Sequence, residues 1–368
     1  MPQRRAALEK FLDNKLPDGV DKARLFAGSA GESPSRYSRS PGMWNAAYRE
    51  LGLDAFYVPF DVRSENLAGF IATVREQPGF MGGNVTVPHK LAIMALLDEI
   101  DPMAQQIGAV NTYMREADGR LVGFNSDADG LLGSILRAMP GKQEPFLKTL
   151  AGKRTLILGA GGAGRAASFA IASQLKGAPI AITNRTLATA EELAAEVAKV
   201  YPNVSAIEQE MVPTVLREVD LVVNTSTVGQ SGLRHLPGGK VTCLEPFSSL
   251  APADPPILTE TSDEAAFYRQ WSEESQPAID ANLALATKAL LACKPDASFV
   301  DAVYSPDETV LLKQARLAGH KTLNGKGMLI MQAAESFIKR MTRPHLIEAG
   351  YDPDTLYDRV VSTMAAAF

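Results

Sequence analysis

The sequence predicts an α/β protein of two domains, the second built on a doubly wound parallel sheet. Two observations carry that expectation. Strand-like runs alternate with helical patterns through the N-terminal half, from Leu25 to Phe124. In the second half the runs Thr155-Leu156-Ile157-Leu158, Ile180-Ala181-Ile182-Thr183 and Leu221-Val222-Val223-Asn224 are apolar without alternation, as strands buried on both faces require, and helical patterns separate them.

Each element follows in order. Residues 1–23 read as a polar, partly helical extension. A first strand over 25–27 ends in Gly28-Ser29, and a Gly-, Ser- and Pro-rich loop spans 28–37. A helix is expected over 41–51. The next strand covers 56–60, where Pro59 points to a sheet edge because it lacks the N–H a central strand needs. A helix over 65–77 precedes a strand ending at Val85. Residues 109–113 and 121–124 suit a hairpin about Asp118-Gly119, a favoured two-residue turn. A helix over 130–137 links the halves, and the apolar strands follow. The stretch 233–297 is Pro- and Ser-rich to about 262, then helix-like through Cys293, and is too long for a plain loop. It suits a helical cap over a cofactor or an oligomer contact. A last strand over 299–304 and helices over 325–341 and 354–366 complete the chain. The expected domains are 1–126 plus 325–368, and 127–324.

Bulk properties bound the function. The 368 residues suffice for two cores. The chain is 46% hydrophobic and 21% charged, an ordinary globular profile, and its net charge of −5 offers no electrostatic case for nucleic acid or an anionic membrane. Only two cysteines occur, Cys243 and Cys293, which excludes a disulfide framework and suggests a reducing, cytoplasmic setting. The four histidines are scattered without metal-ligand spacing, so no metal is expected. The N-terminal Met-Pro-Gln-Arg-Arg lacks the apolar core of a secretion signal. No run of about 18 apolar residues suggests a membrane span. A monomer or homodimer is expected.

Chemistry concentrates first in Gly83-Asn84-Val85-Thr86-Val87-Pro88-His89-Lys90. Val85 and Val87 suit a strand end, and Pro88 suits the first position of a helix. Lys90 then falls in the first helical turn, where the dipole disfavours a positive charge; such a lysine is a candidate for proton transfer. Asp127, in Asn125-Ser126-Asp127-Ala128-Asp129-Gly130, is a second candidate. This run matches the first half of a calcium loop, but the twelfth position is Leu136, which cannot ligate. Asp129 is the expected helix cap.

The second concentration is Gly159-Ala160-Gly161-Gly162-Ala163-Gly164, between a strand and an apolar helix. Gly159, Gly161 and Gly164 stand at the three positions of a Rossmann dinucleotide fingerprint, and the helix N-terminus, including Gly162 and Ala163, attracts phosphate. At the tip of the next strand, where NAD-binding proteins place a carboxylate, stand Asn184-Arg185-Thr186. A guanidinium there suits a 2′-phosphate, favouring NADP, with NAD possible.

With Gly108-Ala109-Val110-Asn111-Thr112, Asp301-Ala302-Val303-Tyr304-Ser305-Pro306 and Gly325-Lys326-Gly327-Met328-Leu329-Ile330-Met331-Gln332 in the same order, these motifs resemble the shikimate dehydrogenase family over about residues 25 to 340. The resemblance implies an NADP-dependent oxidoreductase that interconverts 3-dehydroshikimate and shikimate in aromatic amino acid biosynthesis. It implies that Lys90 and Asp127 form the catalytic pair. Ser38 and Ser40, in Ser38-Arg39-Ser40-Pro41, would bind the substrate carboxylate. Asn84, Thr86, Asn111, Tyr304 and Gln332 would supply the remaining substrate contacts, and Gly325 and Met328 would flank the nicotinamide.

The chain departs from the family pattern at the lengthened loop before Ser38, at Ser126 in place of threonine, and over 233–297. Quinate or another shikimate-like ring acid is therefore an alternative substrate, although Ser40 rather than threonine leans towards shikimate. A non-catalytic NADP-binding regulator of the same fold has no need of Lys90 and Asp127. A folate-type dehydrogenase leaves Ser38, Ser40 and Gln332 unexplained.

Overall fold

The structure is a computed structural model that describes residues 3–236, 238–261 and 263–368. It divides into two compact units, Met1–Pro145 with Gly327–Phe368, and Phe146–Lys326. The first boundary falls later than the expected 127. The helix Asp127–Leu136 packs on the helix Lys326–Ser336 of its own unit: a Cβ at Gly130 would lie 2.6 Å from Cβ of Gln332, and one at Gly133 2.5 Å from Sδ of Met331.

The first unit holds strands β1 (Leu25–Gly31), β2 (Ala55–Asp61), β3 (Phe80–Val85), β4 (Glu99–Ile100), β5 (Thr112–Arg115) and β6 (Leu121–Phe124), in the sheet order β2-β1-β3-β5-β6-β4. β2, with Pro59, is one edge of the sheet, as expected, and β4 is the other. β5 and β6 form the expected hairpin, but its turn is three residues, 117–119, not two: the Glu116 N–H donates to the Arg120 carbonyl at 2.8 Å, and Gly119 has a φ of +89°. β1 runs four residues beyond the expected strand, because Gly28 to Gly31 pair with β2 and Gly28 to Ala30 also pair with β3. A Cβ at Gly28 would come within 2.4 Å of the Val58 carbonyl, so only glycine admits the neighbouring strand there. The expected loop over 28–37 is thus strand, then a short helix, Pro34–Tyr37.

Two further expectations are corrected. The N-terminal extension belongs to the core: Leu8, Leu16 and Val20 are buried with Phe26, Val58 and Phe70, and the Arg4 guanidinium lies 4.6 Å from the Phe26 ring centroid. No α-helix begins at Pro88. The Val87–Pro88 peptide is cis, 87–91 is a turn, and a 3-10 helix covers Ala92–Leu96. Of its expected apolar face only Ile93 is buried, while Leu91 is half exposed. The turn is held instead by His89, whose Nε2 lies 2.7 Å from the Val62 carbonyl.

The second unit is the doubly wound sheet. Its strands are β7 (Thr155–Leu158), β8 (Ile180–Thr183), β9 (Val204–Ile207), β10 (Leu221–Asn224), β14 (Ser298–Asp301) and β15 (Lys321–Leu323), in the order β15-β14-β10-β7-β8-β9, all parallel. This is the Rossmann order, with the switch point between β7 and β10. The stretch 233–297 is the β10-to-β14 crossover, enlarged. It carries a small antiparallel sheet of β11 (Leu233–Leu236), β12 (Lys240–Cys243) and β13 (Leu258–Thr259), then a 28-residue helix, Glu264–Leu291. The first half of that helix buries Phe267 and Trp271 against Val241 and Phe247. Its second half buries Ala286, Ala289 and Leu290 against Leu156, Val222 and Phe299 of the parallel sheet. The second half of that helix is therefore the layer helix that a parallel crossover requires. Among the described residues, no helix is long and apolar enough to cross a membrane.

Candidate active site

In the first unit, Lys90 Nζ donates to Asp127 Oδ2 at 2.5 Å, and both side chains are largely buried. Backbone bonds place each partner. The Val110 N–H donates to the Lys90 carbonyl at 2.9 Å, and the Asp127 N–H donates to Asn125 Oδ1 at 3.0 Å. Asn125, rather than the expected Asp129, thus satisfies an N–H at the start of the helix, and Asp129 is exposed in its first turn.

Asn111 completes the pair. Its Nδ2 donates to Asp127 Oδ1 at 2.8 Å, and its Oδ1 accepts the Ser126 N–H at 2.8 Å. A backbone N–H only donates, so this second bond fixes which end of the amide faces the carboxylate. Gln332 Oε1 receives Asn111 Nδ2 at 3.3 Å and Ser126 Oγ at 3.1 Å. A buried chain continues through Ser336 and Thr112 to Asn84, whose Oδ1 accepts the Tyr57 hydroxyl at 2.8 Å. Tyr57 is fully buried and stacked on Trp44, with centroids 4.7 Å apart.

The structure thus joins Lys90, Asp127, Asn111, Gln332 and Asn84 in one hydrogen-bonded cluster. Among the described residues, no hydrogen bond links Ser38, Ser40 or Thr86 to it. Ser40 opens the helix Ser40–Glu50, and its N–H donates to Ser38 Oγ at 3.2 Å. Thr86 directly follows β3 and lies beside the end of β1, where its N–H donates to the Ala30 carbonyl at 2.9 Å and a Cβ on Gly31 would overlap its methyl. Burial pushes the phenol of neighbouring Tyr37 above its ordinary range. Met328 is buried in the helix Lys326–Ser336. Sequence reasoning missed Tyr57, Thr112 and Ser336 as members of the cluster. Ser336 had a signal: it stands four residues after Gln332, on the same helical face.

In the second unit the glycine loop has three distinct geometries. Gly159 has a φ of +106° and touches the Ser226 backbone; a Cβ on Gly164 would lie 2.2 Å from the Gly159 carbonyl; a Cβ on Gly161 would meet nothing within 4 Å. These are a tight turn, a close helix–strand approach and an open position where a ligand's phosphates can reach backbone. The helix Gly162–Ala172 starts there. The Asn184 Oδ1 receives the Ala160 N–H at 3.3 Å, tying the loop to the tip of β8. Thr186 follows, and Arg185 is exposed there without an ion-pair partner among the described residues. The residues present fit a dinucleotide. Tyr304 is half-buried just past β14, and Gly325 packs against the Ala302 carbonyl.

At the end of β14, Asp301 is fully buried and accepts from Asn224 Nδ2 at 2.9 Å, the Val303 N–H at 2.9 Å and Thr309 Oγ1 at 2.7 Å. Burial outweighs these donors and pushes its carboxyl up to about 7. Asn224 also accepts from the Ser226 N–H and hydroxyl, so this carboxyl braces the loop that touches Gly159.

Known proteins resemble this chain in sequence and fold. Residues 32–113 match the shikimate dehydrogenase substrate binding domain, and residues 142–234 match shikimate / quinate 5-dehydrogenase. The second match ends where the small antiparallel sheet begins. The chain is 37% identical to shikimate dehydrogenase (NADP(+)) of Geobacter metallireducens, over 81% of this chain and 85% of that one. It is 35% identical to the protein of the same name from Shouchella clausii, over 82% and 88%. Among solved structures, shikimate 5-dehydrogenase of Thermus thermophilus, in complex with NADP(H) and shikimate, superposes with a TM-score of 0.60 at 29% identity, over 92% of this chain and 99% of that one. The chain belongs to the shikimate dehydrogenase family.

Proposed function

We propose that this protein reversibly reduces 3-dehydroshikimate to shikimate with NADPH, serving aromatic amino acid biosynthesis. The observation that carries the reading is the buried Lys90–Asp127 pair, braced by Asn111 within a cluster of neutral hydrogen-bonding side chains. Such a cluster suits a polyhydroxylated ring acid.

NADPH, when bound, supplies the hydride that reduces the substrate carbonyl to a carbinol. Lys90 gives a proton to the carbonyl oxygen as the alcohol forms and takes it back in the reverse direction. Asp127 holds Lys90 at the reacting oxygen. Asn111, Asn84, Thr86 and Gln332 hold ring hydroxyls, Ser38 and Ser40 hold the carboxylate, and Tyr304 is a further substrate contact. The glycine loop from Gly159 to Gly164 receives the pyrophosphate, and Asn184, Arg185 and Thr186 receive the 2′-phosphate end. Gly325 and Met328 complete the nicotinamide surroundings. A reducing, cytoplasmic location suits the two free thiols, Cys243 and Cys293.

The test is initial rates at the reduced-nicotinamide absorbance band, with shikimate and quinate each paired with NADP and NAD. Turnover with shikimate and NADP is expected. Turnover confined to quinate would overturn the substrate, and silence in all four mixtures with NADP still bound would overturn the activity.

A further inference from the structure

Backbone groups orient the three amides of the cluster, and for Asn84 the group is the Asn111 carbonyl, an acceptor only, 3.5 Å from Nδ2. The Ser126 N–H, a donor only, sets the Asn111 oxygen towards itself. The Leu329 carbonyl, an acceptor only, receives Gln332 Nε2 at 3.1 Å and turns the Gln332 oxygen inward. What remains is the direction of the three hydroxyls that join Asn84 to Gln332. Thr112 Oγ1 accepts from Asn84 Nδ2 at 2.9 Å, so its own proton goes elsewhere. Ser336 Oγ, at 2.8 Å, is its nearest hydroxyl acceptor. With that lone pair filled, Ser336 donates to Ser126 Oγ at 2.9 Å. The Ser126 proton is then released to Gln332 Oε1, since Asn111 Oδ1 already holds the Ser126 N–H at the shorter distance.

The chain therefore runs one way, from Tyr57 through Asn84, Thr112, Ser336 and Ser126 to the Gln332 oxygen. Ser336 is the link that sets the direction. Without it, Thr112 and Ser126 stand 3.4 Å apart, beyond a good hydroxyl bond. Ser336 is wholly buried, so water does not replace it readily.

We propose that Ser336 is a positioning residue for Gln332: acting through Ser126, whose hydroxyl it directs at Gln332 Oε1, it reinforces the inward orientation begun by the Leu329 carbonyl, so that the remaining amide N–H meets the ligand as a donor. The position selects a substrate oxygen that accepts, whether a hydroxyl lone pair or a carboxylate. This rests on the shikimate reading above for its kinetic consequence, but not for the amide orientation itself.

The experiment uses the full chain with Ser336→Ala, and Ser336→Cys as a second variant should the first fold poorly, each checked by its thermal midpoint. The KM for shikimate is expected to rise about tenfold, the loss of one well-placed hydrogen bond, with the KM for NADP unmoved. In a Gln332→Ala background, Ser336→Ala should add nothing further. An unchanged KM, or a rise that persists in full without Gln332, would overturn the assignment. A second readout needs no substrate: the Gln332 side-chain amide signals, identified by their absence in Gln332→Ala, should exchange with deuterium faster in Ser336→Ala than in the unmodified protein. Equal exchange overturns the proposal. A wild-type protein silent towards shikimate with the exchange difference present would fault only the proposed function.

Discussion

Lys90 and Asp127 are 37 positions apart in sequence, yet their side chains meet at 2.5 Å inside one unit. The meeting is made by backbone. The turn carrying Lys90 is bonded to Val110, just before β5, and Asp127 follows β6, the strand that pairs with β5. The hairpin thus delivers the carboxylate to the lysine, and Asn111 holds the second carboxylate oxygen.

Replacing Lys90 by alanine removes the proposed proton donor and leaves the second unit untouched. Turnover should fall by about 10²- to 10⁴-fold, the range of a general acid–base group, with the NADP dissociation constant unchanged in a fluorescence titration. Retained turnover would remove Lys90 from the reaction.

Arg185→Ala should discriminate between cofactors. A charge-assisted hydrogen bond contributes about 1.5–3 kcal/mol, so the KM for NADP should rise roughly 10- to 100-fold while that for NAD stays nearly constant. Equal losses for both would place Arg185 away from the 2′-phosphate.

Gly164→Ala sets a Cβ 2.2 Å from a backbone oxygen of the same loop. The loop has no flexible side chain there to yield, so backbone must shift, at a cost of about 1–3 kcal/mol. A lower thermal midpoint together with weaker NADP binding is expected; Gly161→Ala, whose Cβ meets nothing, should spare the midpoint and weaken NADP alone.

Asp301 gives a pH prediction. Its folded carboxyl titrates at about 7, above the ordinary value of 3.8. The folded state therefore binds the proton more tightly than the unfolded chain, and this contribution to stability is full below about 3.8 and lost as pH rises through about 7. Thermal midpoints of the wild type, measured relative to Asp301→Asn between these values, should fall with rising pH. A constant difference would show that the donors from Asn224, Val303 and Thr309 cancel the burial.

Much of this was legible in the residues. The Rossmann strands β7, β8 and β10 lie where continuous apolar runs place them, since a strand buried on both faces has no polar side to hide its period. Pro59 marked an edge strand, and Asp118-Gly119 marked a hairpin, each from local backbone chemistry alone. The run after Pro88 misled because Leu91, Ile93, Leu96 and Leu97 carry a helical period, while the buried His89, bonded to the Val62 carbonyl, holds the segment as a turn. The extension before Leu25 misled in the opposite sense: its spaced Leu8, Leu16 and Val20 show no period, yet all three join the core.

The sequence by itself determined the fold class and the glycine loop, because these depend on local periodicity and on residue types at short spacing. Tertiary structure alone decided that Ser126, Thr112, Ser336 and Tyr57 form one chain of hydrogen bonds with Asn84 and Gln332, and that the second half of the helix Glu264–Leu291 packs as a crossover helix. Those facts depend on which donor meets which acceptor across strands and helices up to 224 residues apart, and no local pattern records such a meeting.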